Sequence, residues 1–362
     1  MKVFLIAGAR PNFMKIAPVY RTSRKHPDVD CRIVHTGQHY DQEMSQAFFE
    51  DLELPLPDFY LDAGSGTHAV QTAKIMIAFE KICMKEKPGW VVVVGDVNST
   101  LACSIVAKKM LIRVAHVEAG LRSFDMTMPE EINRMVTDSI TDCFFVTEES
   151  GEKNLLREGK PAENIYVVGN VMIDNLFHQI EKLKSEDGVR FATHSLKEQC
   201  RPYVFLTLHR PSNVDDRAAF EGIAGALNQI AGERPILFPV HPRTKKMMAQ
   251  FGIRLSDRIH TLPPLGFRES LFLWKDAEVV LTDSGGLQEE TTALGVPCVT
   301  IRENTERPVT VEMGTNVLGG TTEESILHAY RESLKKIGSG LVPPYWDGKA
   351  SERIWKILKQ QC

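Results

Sequence analysis

The segment Leu281–Glu290, with the sequence LTDSGGLQEE, combines a glycine turn with closely spaced carboxylates. It follows the apolar run Ala277–Leu281, so the pattern predicts a strand, a tight turn and a helix. Ser284, Gly285 and Gly286 would leave free backbone N–H groups at the helix start, where the helix dipole favours an anion. Taken alone, the segment also fits an ordinary turn between a strand and a helix. A phosphate cradle beside carboxylates predicts an enzyme that binds a nucleotide diphosphate and acts on a polyhydroxylated group.

Charged residues follow other predicted strands in the same way. Arg10 and Lys15 come after the first apolar run, and two cations about one helical turn apart can reach a diphosphate. Asp96 and Glu118 follow the third and fourth runs, and His209 follows a run in the second half. Individually, Asp96 could be a helix N-cap and His209 a core histidine. Together they predict a binding site, because ligands of doubly wound sheets lie beyond the carboxyl ends of the strands.

Three further residues belong to the same pattern. Glu130 and Arg134 follow Pro129 at the start of a predicted helix, where a spacing of four residues places them on one face. The simpler interpretation is a surface ion pair that contributes less than ~1 kcal/mol. Arg307 follows the predicted strand Cys298–Ile301 and is a candidate contact for the nucleotide.

The elements that must position these residues alternate between strands and helices. Near-continuous apolar runs are typical of parallel strands that are covered on both faces by helices. Amphipathic helices are predicted between them, for instance at Val70–Lys85 and Thr100–Met110. Two successive series of this kind predict an α/β protein with two doubly wound domains. The predicted strands are Lys2–Gly8, Cys31–Thr36, Trp90–Val94, Val114–Val117, Cys143–Val146, Ile165–Val168, Tyr203–Leu208, Ile236–Val240, His260–Leu262, Val279–Leu281 and Cys298–Ile301.

The polar stretch Lys182–Cys200 separates the two series and places the join after Gly169-Asn170. We therefore expect an N-terminal domain at 1–169 and a C-terminal domain at 170–345. A break at Pro343–Gly348 precedes the last predicted helix, Ser351–Gln360. The terminal segment 346–362 is expected to pack back on the first domain.

Composition and residue spacing argue against several classes of protein. The chain has 362 residues and a formal net charge of −4, without the basic surplus of a nucleic-acid binder. No apolar run approaches the ~18 residues needed to cross a bilayer. Seven cysteines are scattered without a Cys-x-x-Cys motif, which favours reduced thiols in a cytoplasmic protein. The histidines show no metal-ligand spacing, so neither a metal nor another cofactor is predicted.

Eight ordered motifs resemble the non-hydrolysing UDP-N-acetylglucosamine 2-epimerases, and the match covers nearly the whole chain. They are Gly8-Ala-Arg-Pro with Lys15, Gly95-Asp96, His116–Arg122, Pro129–Arg134, His209-Arg210, Thr282–Gly286 with Glu289-Glu290, Thr305–Pro308, and Asp347-Gly348 with Ser351–Arg353. The resemblance implies two Rossmann-like domains in the glycosyltransferase-B arrangement, with UDP bound by the C-terminal one and an active site in the interdomain cleft. It also implies a homodimer.

The implied reaction is reversible inversion at C2 between UDP-GlcNAc and UDP-ManNAc. UDP is eliminated to give a 2-acetamidoglucal and is then added back. The resemblance assigns catalysis to four residues and substrate binding to eight others, with Glu290 on the ribose hydroxyls. The catalytic set is Asp96, Glu118, Glu130 and His209, and the binding set is Arg10, Lys15, Arg134, Ser284, Gly285, Gly286, Glu290 and Arg307.

The chain departs from the usual family pattern at several positions. Asn12 stands where the family usually has glutamate, and Ser212 replaces another glutamate. Gln38 and His241 of the family's regulatory site are present, but the arginine expected near Gly64–His68 is absent, which argues against activation by a second UDP-GlcNAc.

Some motifs also resemble the branch that acts on UDP-2,3-diacetamido-glucuronic acid, so that substrate is an alternative. A hydrolysing epimerase, a glycosyltransferase of the same fold and a non-catalytic nucleotide-sugar sensor are alternatives of other classes. The three carboxylates Asp96, Glu118 and Glu130 argue against a transferase and a sensor.

Overall fold

The computed structural model describes residues 1–37, 49–50, 52–185 and 191–361; Gln38 therefore lies outside the described residues. The chain forms two compact units. One comprises Met1–Phe177 and Pro344–Cys362, and the other comprises His178–Pro343. Among the described residues, no helix has the length and apolar character needed to span a membrane.

The first unit contains a seven-stranded parallel sheet in the order β3-β2-β1-β4-β5-β6-β7. Its elements alternate along the chain, with a short 3-10 turn at Ala162–Asn164 before the last strand. They are β1 Lys2–Ala7, α1 Arg10–Ser23, β2 Asp30–His35, β3 Phe59–Tyr60, α2 His68–Glu86, β4 Trp90–Val94, α3 Asn98–Lys109, β5 Arg113–Val117, α4 Pro129–Ile140, β6 Cys143–Val146, α5 Glu149–Arg157 and β7 Ile165–Val167. The next helix, α6 Val171–Ser185, begins in this unit and ends in the second.

The second unit contains a six-stranded parallel sheet in the order β10-β9-β8-β11-β12-β13. Its elements are α7 His194–Cys200, β8 Val204–Thr207, α8 Pro211–Val214, α9 Arg217–Glu233, β9 Ile236–Pro239, α10 Pro242–Phe251, β10 Ile259–Leu262, α11 Phe267–Trp274, β11 Val279–Thr282, α12 Gly285–Leu294, β12 Cys298–Thr300, α13 Pro308–Glu312, β13 Asn316–Leu318 and α14 Glu323–Lys335. The chain then returns to the first unit as α15, Ala350–Gln360.

The strands are apolar on both faces because helices cover both faces of the first sheet. Val3 and Leu5 of β1 belong to a core that includes residues of α1 and α15. Phe4 and Ile6 alternate with them and belong to a second core, formed with residues of α2 and α3. This is the pattern expected when successive side chains of a strand point to opposite faces. The prediction of two Rossmann-like α/β sheets is confirmed.

Each sheet has a topological switch point, where the chain leaves in opposite directions from two adjacent strands. In the first unit this point lies between β1 and β4, and in the second it lies between β8 and β11. Ligands of doubly wound sheets bind beyond the carboxyl ends of the strands at such a point. The loops that begin at Gly8, Gly95, His209 and Asp283 all start there.

Most predicted strands agree with the structure to within one or two residues at each end. Two edge strands, β3 and β13, were not predicted. β3 has only two residues, both partly exposed, so it carries no apolar run. β13 begins with Asn316, whose buried amide is satisfied by hydrogen bonds to Thr300, Thr310 and Gln288. A polar residue of this kind interrupts the hydrophobic pattern on which sequence reasoning depends.

The terminal helix α15 packs on α1 within the first unit. The indole Nε1 of Trp355 donates to the Val19 carbonyl at 2.7 Å. Asp174 of α6 accepts from the backbone N–H groups of Ala350 and Ser351 at 2.9 and 2.7 Å, which caps the start of α15. Just before the helix, Trp346 is buried and donates to the Thr147 carbonyl.

Candidate active site

Glu118 and Lys15 form an ion pair at the carboxyl edge of the first sheet. Glu118 directly follows β5 and is buried, with a positive φ of 69°. Lys15 projects from α1, and Gly95 lies beside both side chains: a Cβ added there would sit 3.0 Å from the Lys15 Nζ and 3.4 Å from the Glu118 Oε2. The Lys15 ammonium group compensates the burial of the Glu118 carboxylate.

The loop after β1 is held by Asn12. Its Oδ1 accepts from the backbone N–H groups of Gly8 and Ala9 at 3.3 and 3.0 Å. Its Nδ2 donates to the Val94 carbonyl at 3.2 Å, which ties this loop to the end of β4. An amide can make both kinds of bond, whereas a carboxylate only accepts, so asparagine suits this position. Arg10 lies exposed at the start of α1.

The second candidate acid, Asp96, also has a cationic partner. Its Oδ2 lies 2.6 Å from Nη1 of Arg134 on α4. Arg134 is buried, and its Nη2 lies 2.9 Å from the Oε2 of Glu131. The N-cap of the following helix is Val97, so Asp96 is not the N-cap.

The expected pairing of Glu130 with Arg134 is wrong. Glu131 is the buried neighbour, and it also accepts from the backbone N–H groups of Ser123 and Phe124 at 3.0 Å each. Glu130 is exposed. The helix turns Glu131 towards the loop that precedes it, where backbone N–H groups and Arg134 compensate its burial.

In the second unit, His209 is oriented by a buried carboxylate. Its Nδ1 lies 2.8 Å from Oδ1 of Asp283, whose side chain is 0% exposed. Asp283 Oδ2 accepts from the backbone N–H groups of His209 and Arg210. Burial raises the pKa of Asp283, but the hydrogen bond and charge of His209 and the two N–H groups outweigh it and leave the pKa below its ordinary value. The His209 side chain is 43% exposed, so it is not a core histidine.

The two glycines at the start of α12 have open space beside them. A Cβ added to Gly285 or Gly286 would meet no heavy atom within 4 Å. Ser284 is the N-cap, and its side chain makes no capping hydrogen bond. The expectation of a free Ser284 N–H is wrong, because this group donates to the Thr282 Oγ1 at 2.9 Å. The backbone N–H groups at the helix start remain the feature that favours an anion.

Two adjacent glutamates of α12 differ in their surroundings. Glu289 lies 2.7 Å from the Nε of Arg307, and both side chains are largely buried. Glu290 is 5% exposed, and burial, followed by the charge of Glu289, raises its pKa to about 8. Arg307 is thus held by a carboxylate, whereas Glu290 lies where its charge is disfavoured.

The structure therefore brings together Lys15, Asp96, Glu118 and Arg134 in one unit, and His209, Ser284, Gly285, Gly286, Glu290 and Arg307 at the corresponding edge of the other. Sequence reasoning did not assign roles to Glu131, Asp283 or Glu289, which hold Arg134, His209 and Arg307. Each of these three residues lies next to an assigned residue in the same motif, and this position is the signal that could have identified it. Among the described residues, no cluster of three metal-ligating side chains is present.

The arrangement supplies acid–base groups on one edge and anion-binding groups on the other. Carboxylates such as Asp96 and Glu118 can accept a proton or stabilise a developing positive charge. A helix start and an arginine can neutralise a diphosphate.

Comparisons with known proteins show which family this chain resembles. A sequence model of the UDP-N-acetylglucosamine 2-epimerase family matches residues 21–359. The UDP-N-acetylglucosamine 2-epimerase of Methanocaldococcus jannaschii is 44% identical over 364 residues, with 99% of each chain covered. The UDP-2,3-diacetamido-2,3-dideoxy-D-glucuronate 2-epimerase of Pseudomonas aeruginosa is 39% identical over 361 residues, again with 99% of each chain covered.

The fold agrees with a solved member of the same group. The M. jannaschii UDP-GlcNAc 2-epimerase in complex with UDP-GlcNAc and UDP matches with a TM-score of 0.86 and 43% identity, over 99% of this chain and 100% of that one. A family match over nearly the whole chain, together with identities of this size, establishes membership. This chain therefore belongs to the UDP-N-acetylglucosamine 2-epimerase family, whose members are isomerases.

Proposed function

We propose that this chain is a non-hydrolysing 2-epimerase that interconverts UDP-GlcNAc and UDP-ManNAc. The observation that carries the proposal is the pair of carboxylates, Asp96 and Glu118, each held by a cation at the switch point of the first sheet. The M. jannaschii relative, crystallised with UDP-GlcNAc and UDP, supports the choice of nucleotide sugar.

The chemistry explains why such a site needs several carboxylates. The C2 proton of the sugar is barely acidic, because the acetamido group beside it does not stabilise a carbanion. Cleavage of the anomeric C–O bond must therefore lead, and the positive charge that builds up at C1 acidifies C2–H. One carboxylate removes that proton while another stabilises the charge. Re-addition of UDP, with a proton delivered to the opposite face of the 2-acetamidoglucal, completes the inversion.

We assign proton transfer and charge stabilisation to Asp96, Glu118 and Glu130. His209 assists at the departing diphosphate: Asp283 holds its Nδ1, which leaves the Nε2 edge of the partly exposed ring for the leaving group. A carboxylate that orients a histidine in this way fixes which nitrogen carries a proton.

We assign the nucleotide to a second set of groups. The open helix start at Gly285 and Gly286, with Ser284 and Arg307, binds the diphosphate in the second unit, and Arg10 and Lys15 are the substrate-binding cations of the first. Arg134 holds Asp96, and Glu290 binds the ribose hydroxyls. Glu290 suits that role because a buried carboxyl, whose charge is disfavoured by burial and by Glu289, gains hydrogen-bond partners when the hydroxyls arrive.

We also propose that the enzyme is a homodimer. On α2, Val70, Ile77 and Met84 recur every seven residues and are 47%, 60% and 64% exposed. Ile132 and Met135 of α4 are exposed as well, and α3 packs between these two helices. A row of exposed apolar side chains at this spacing is typical of a surface that packs against another helix.

The proposal is tested by incubation of the pure protein with UDP-GlcNAc in deuterated water, followed by NMR. UDP-GlcNAc and UDP-ManNAc should both appear with deuterium at C2, without added metal or nicotinamide cofactor. Full retention of the original C2–H during inversion would refute the elimination mechanism, and so would a requirement for NAD. Release of free ManNAc in place of UDP-ManNAc would identify a hydrolysing epimerase.

A further inference from the structure

A buried pair, Asp138 and His116, lies behind the two acid-bearing loops of the first unit. Asp138 belongs to α4 and His116 to β5, and both are 0% exposed. His116 precedes Glu118 by two residues on the same strand end. Neither side chain has a place in the reaction proposed above, although both lie against the loops that carry it.

The imidazole of His116 connects the two loops. Its Nδ1 lies 2.7 Å from the Asp138 Oδ1, and its Nε2 lies 2.8 Å from the carbonyl oxygen of Gly95. Gly95 immediately precedes Asp96. The ring therefore bridges the Asp138 carboxylate and the backbone of the Asp96 loop.

The second oxygen of Asp138 holds the far end of the Glu118 loop. It accepts from the backbone N–H of Gly120 at 3.0 Å and lies 2.7 Å from the Nη2 of Arg122. Gly120 has a φ of 78°, and a Cβ there would come within 2.3 Å of the Gly151 carbonyl oxygen. The loop is therefore closely packed, and one carboxylate binds it on both sides of Glu118.

The charges around Asp138 compensate one another. Burial raises the pKa of Asp138, but the charges and hydrogen bonds of His116 and Arg122 outweigh it, and the pKa lies below its ordinary value. Arg122 is further paired with Glu158 at 2.8 Å. An uncharged replacement at 138 would leave His116 and Arg122 with less compensation in the protein interior.

We propose that Asp138 is a positioning residue for catalysis. Through His116 it holds the Gly95 carbonyl and with it the Asp96 loop, and through Gly120 and Arg122 it holds the loop of Glu118. The inference rests on the proposed roles of Asp96 and Glu118, whose mutual placement it explains. A displacement of about 1 Å in such groups lowers a rate by as much as ~10².

The first test compares Asp138→Asn with Asp142→Asn. Asp142 lies near the same helix end but at the amino end of β5, where it accepts from the Val114 N–H at 2.8 Å and pairs with Lys108 at 2.6 Å. We expect Asp138→Asn to lower kcat at least tenfold while the Kd for UDP stays within twofold. Asp142→Asn should leave kcat unchanged. Equal losses in the two variants, or a loss confined to UDP affinity, would refute the positioning role.

A second measurement does not depend on turnover. Amide hydrogen exchange of peptides covering 93–99 and 116–123 should accelerate in Asp138→Asn and stay at the wild-type rate in Asp142→Asn. Unchanged exchange in both peptides would overturn the proposal. If the wild-type chain epimerises no UDP-sugar, the proposed function fails, and the exchange comparison still decides whether Asp138 holds the two loops.

Substitutions of His116 test the connection to the Asp96 loop. A glutamine can still donate a hydrogen bond to the Gly95 carbonyl, whereas a leucine cannot. We expect His116→Gln to retain at least tenfold more kcat than His116→Leu, with similar UDP affinity in both. Equal kcat values would show that the hydrogen bond to Gly95 has no role in catalysis. This comparison also holds if Asp138→Asn does not fold.

Discussion

The carboxyl edges of the two sheets share a topology but distribute charge differently. In the first unit two of the three candidate acids face a cation: Glu118 is paired with Lys15, and Asp96 with Arg134. These pairs place a carboxylate beside a cation at the carboxyl edge of the sheet.

In the second unit the carboxylates hold the groups that would bind an anion. Asp283 orients His209, and Glu289 holds Arg307, while the helix start at Gly285 is open. Under the roles proposed above, the same strand order serves acid–base chemistry on one sheet and anion binding on the other. The proposal thus places the difference in function in the side chains at the switch point and not in the fold itself.

The largest effect expected from this comparison concerns Glu118. Glu118→Gln is nearly isosteric but can neither accept a proton nor offset positive charge. We expect kcat to fall by ~10²–10⁴, the range typical of acid–base groups, with the Kd for UDP within a few-fold of wild type. Steady-state rates and calorimetric titration with UDP measure the two quantities.

The control for Glu118 is Glu86→Gln. Glu86 also pairs with a lysine, Lys2, at 3.0 Å, but at the amino end of the same sheet. This variant should keep wild-type turnover. If Glu118→Gln does so too, Glu118 is a buried structural residue and the first unit has lost one of its assigned acids.

A substitution of Arg307 tests whether the second unit binds UDP. Arg307→Ala should weaken UDP binding by ~1.5–3 kcal/mol, about ten- to a hundredfold in Kd, which is typical of a charge-assisted contact. The matched control is Arg234→Ala, which removes a pair with Glu278 at 2.7 Å at the amino end of β11. Unchanged UDP affinity in Arg307→Ala would show that Glu289 and Arg307 form only a structural ion pair.

A third prediction concerns which UDP-sugar the enzyme prefers. UDP-GlcNAc and UDP-2,3-diacetamido-glucuronic acid should differ in kcat/KM by tenfold or more, on the order of 1.4 kcal/mol in transition-state binding. We expect UDP-GlcNAc to be preferred, although relatives of about 40% identity act, by name, on either sugar. Parallel assays of both compounds decide this. Turnover of the uronic acid alone would reassign the substrate and leave the mechanism intact.

The smallest effect expected is a pH-dependent change in stability at Glu290. Its pKa is raised from 4.5 to about 8 in the folded chain, mainly by burial. The folded state therefore binds the proton more tightly, so the stability contributed by this group is full below pH 4.5 and is lost as the pH rises towards 8. Glu290→Gln stays neutral and should melt about 2–5 °C above wild type at pH 8.5, with a smaller difference at pH 5.5.

Thermal melts of Glu290→Gln and wild type at both pH values make this measurement. The control is Glu221→Gln, because Glu221 is half exposed and pairs with Arg217 across one helical turn. Its melting temperature should follow wild type at both pH values. A pH-independent difference for Glu290→Gln would show that its burial does not disfavour the charged carboxylate.

Much of the fold could be predicted because strands and helices leave local patterns. The strands Trp90–Val94 and Cys143–Val146 agree with the structure to the residue, since each is an unbroken apolar run. The edge strand at Asn316–Leu318 was missed because its buried Asn316 depends on partners from three other segments. Local patterns do not report such distant partners.

The candidate site was predictable in part for the same reason. Asp96, Glu118, His209 and Ser284 follow strands, so topology alone places them at an edge of a sheet. Their partners were not predictable, as the case of Arg134 shows. Helical spacing predicted Glu130 as the partner of Arg134. In the structure, Arg134 pairs with Glu131 and Asp96 instead. Which of two adjacent glutamates turns inward depends on the sheet against which the helix packs.

The sequence by itself therefore determined the order of strands and helices, the motifs that follow them and the family to which the chain belongs. These depend on hydrophobic periodicity and on short motifs, both of which are local. Only the tertiary structure decided which charges meet: Lys15 with Glu118, Asp283 with His209, and Asp138 with His116. Those pairs join residues that are 22 to 103 positions apart, and buried charges are stable only where the fold brings a compensating partner to them.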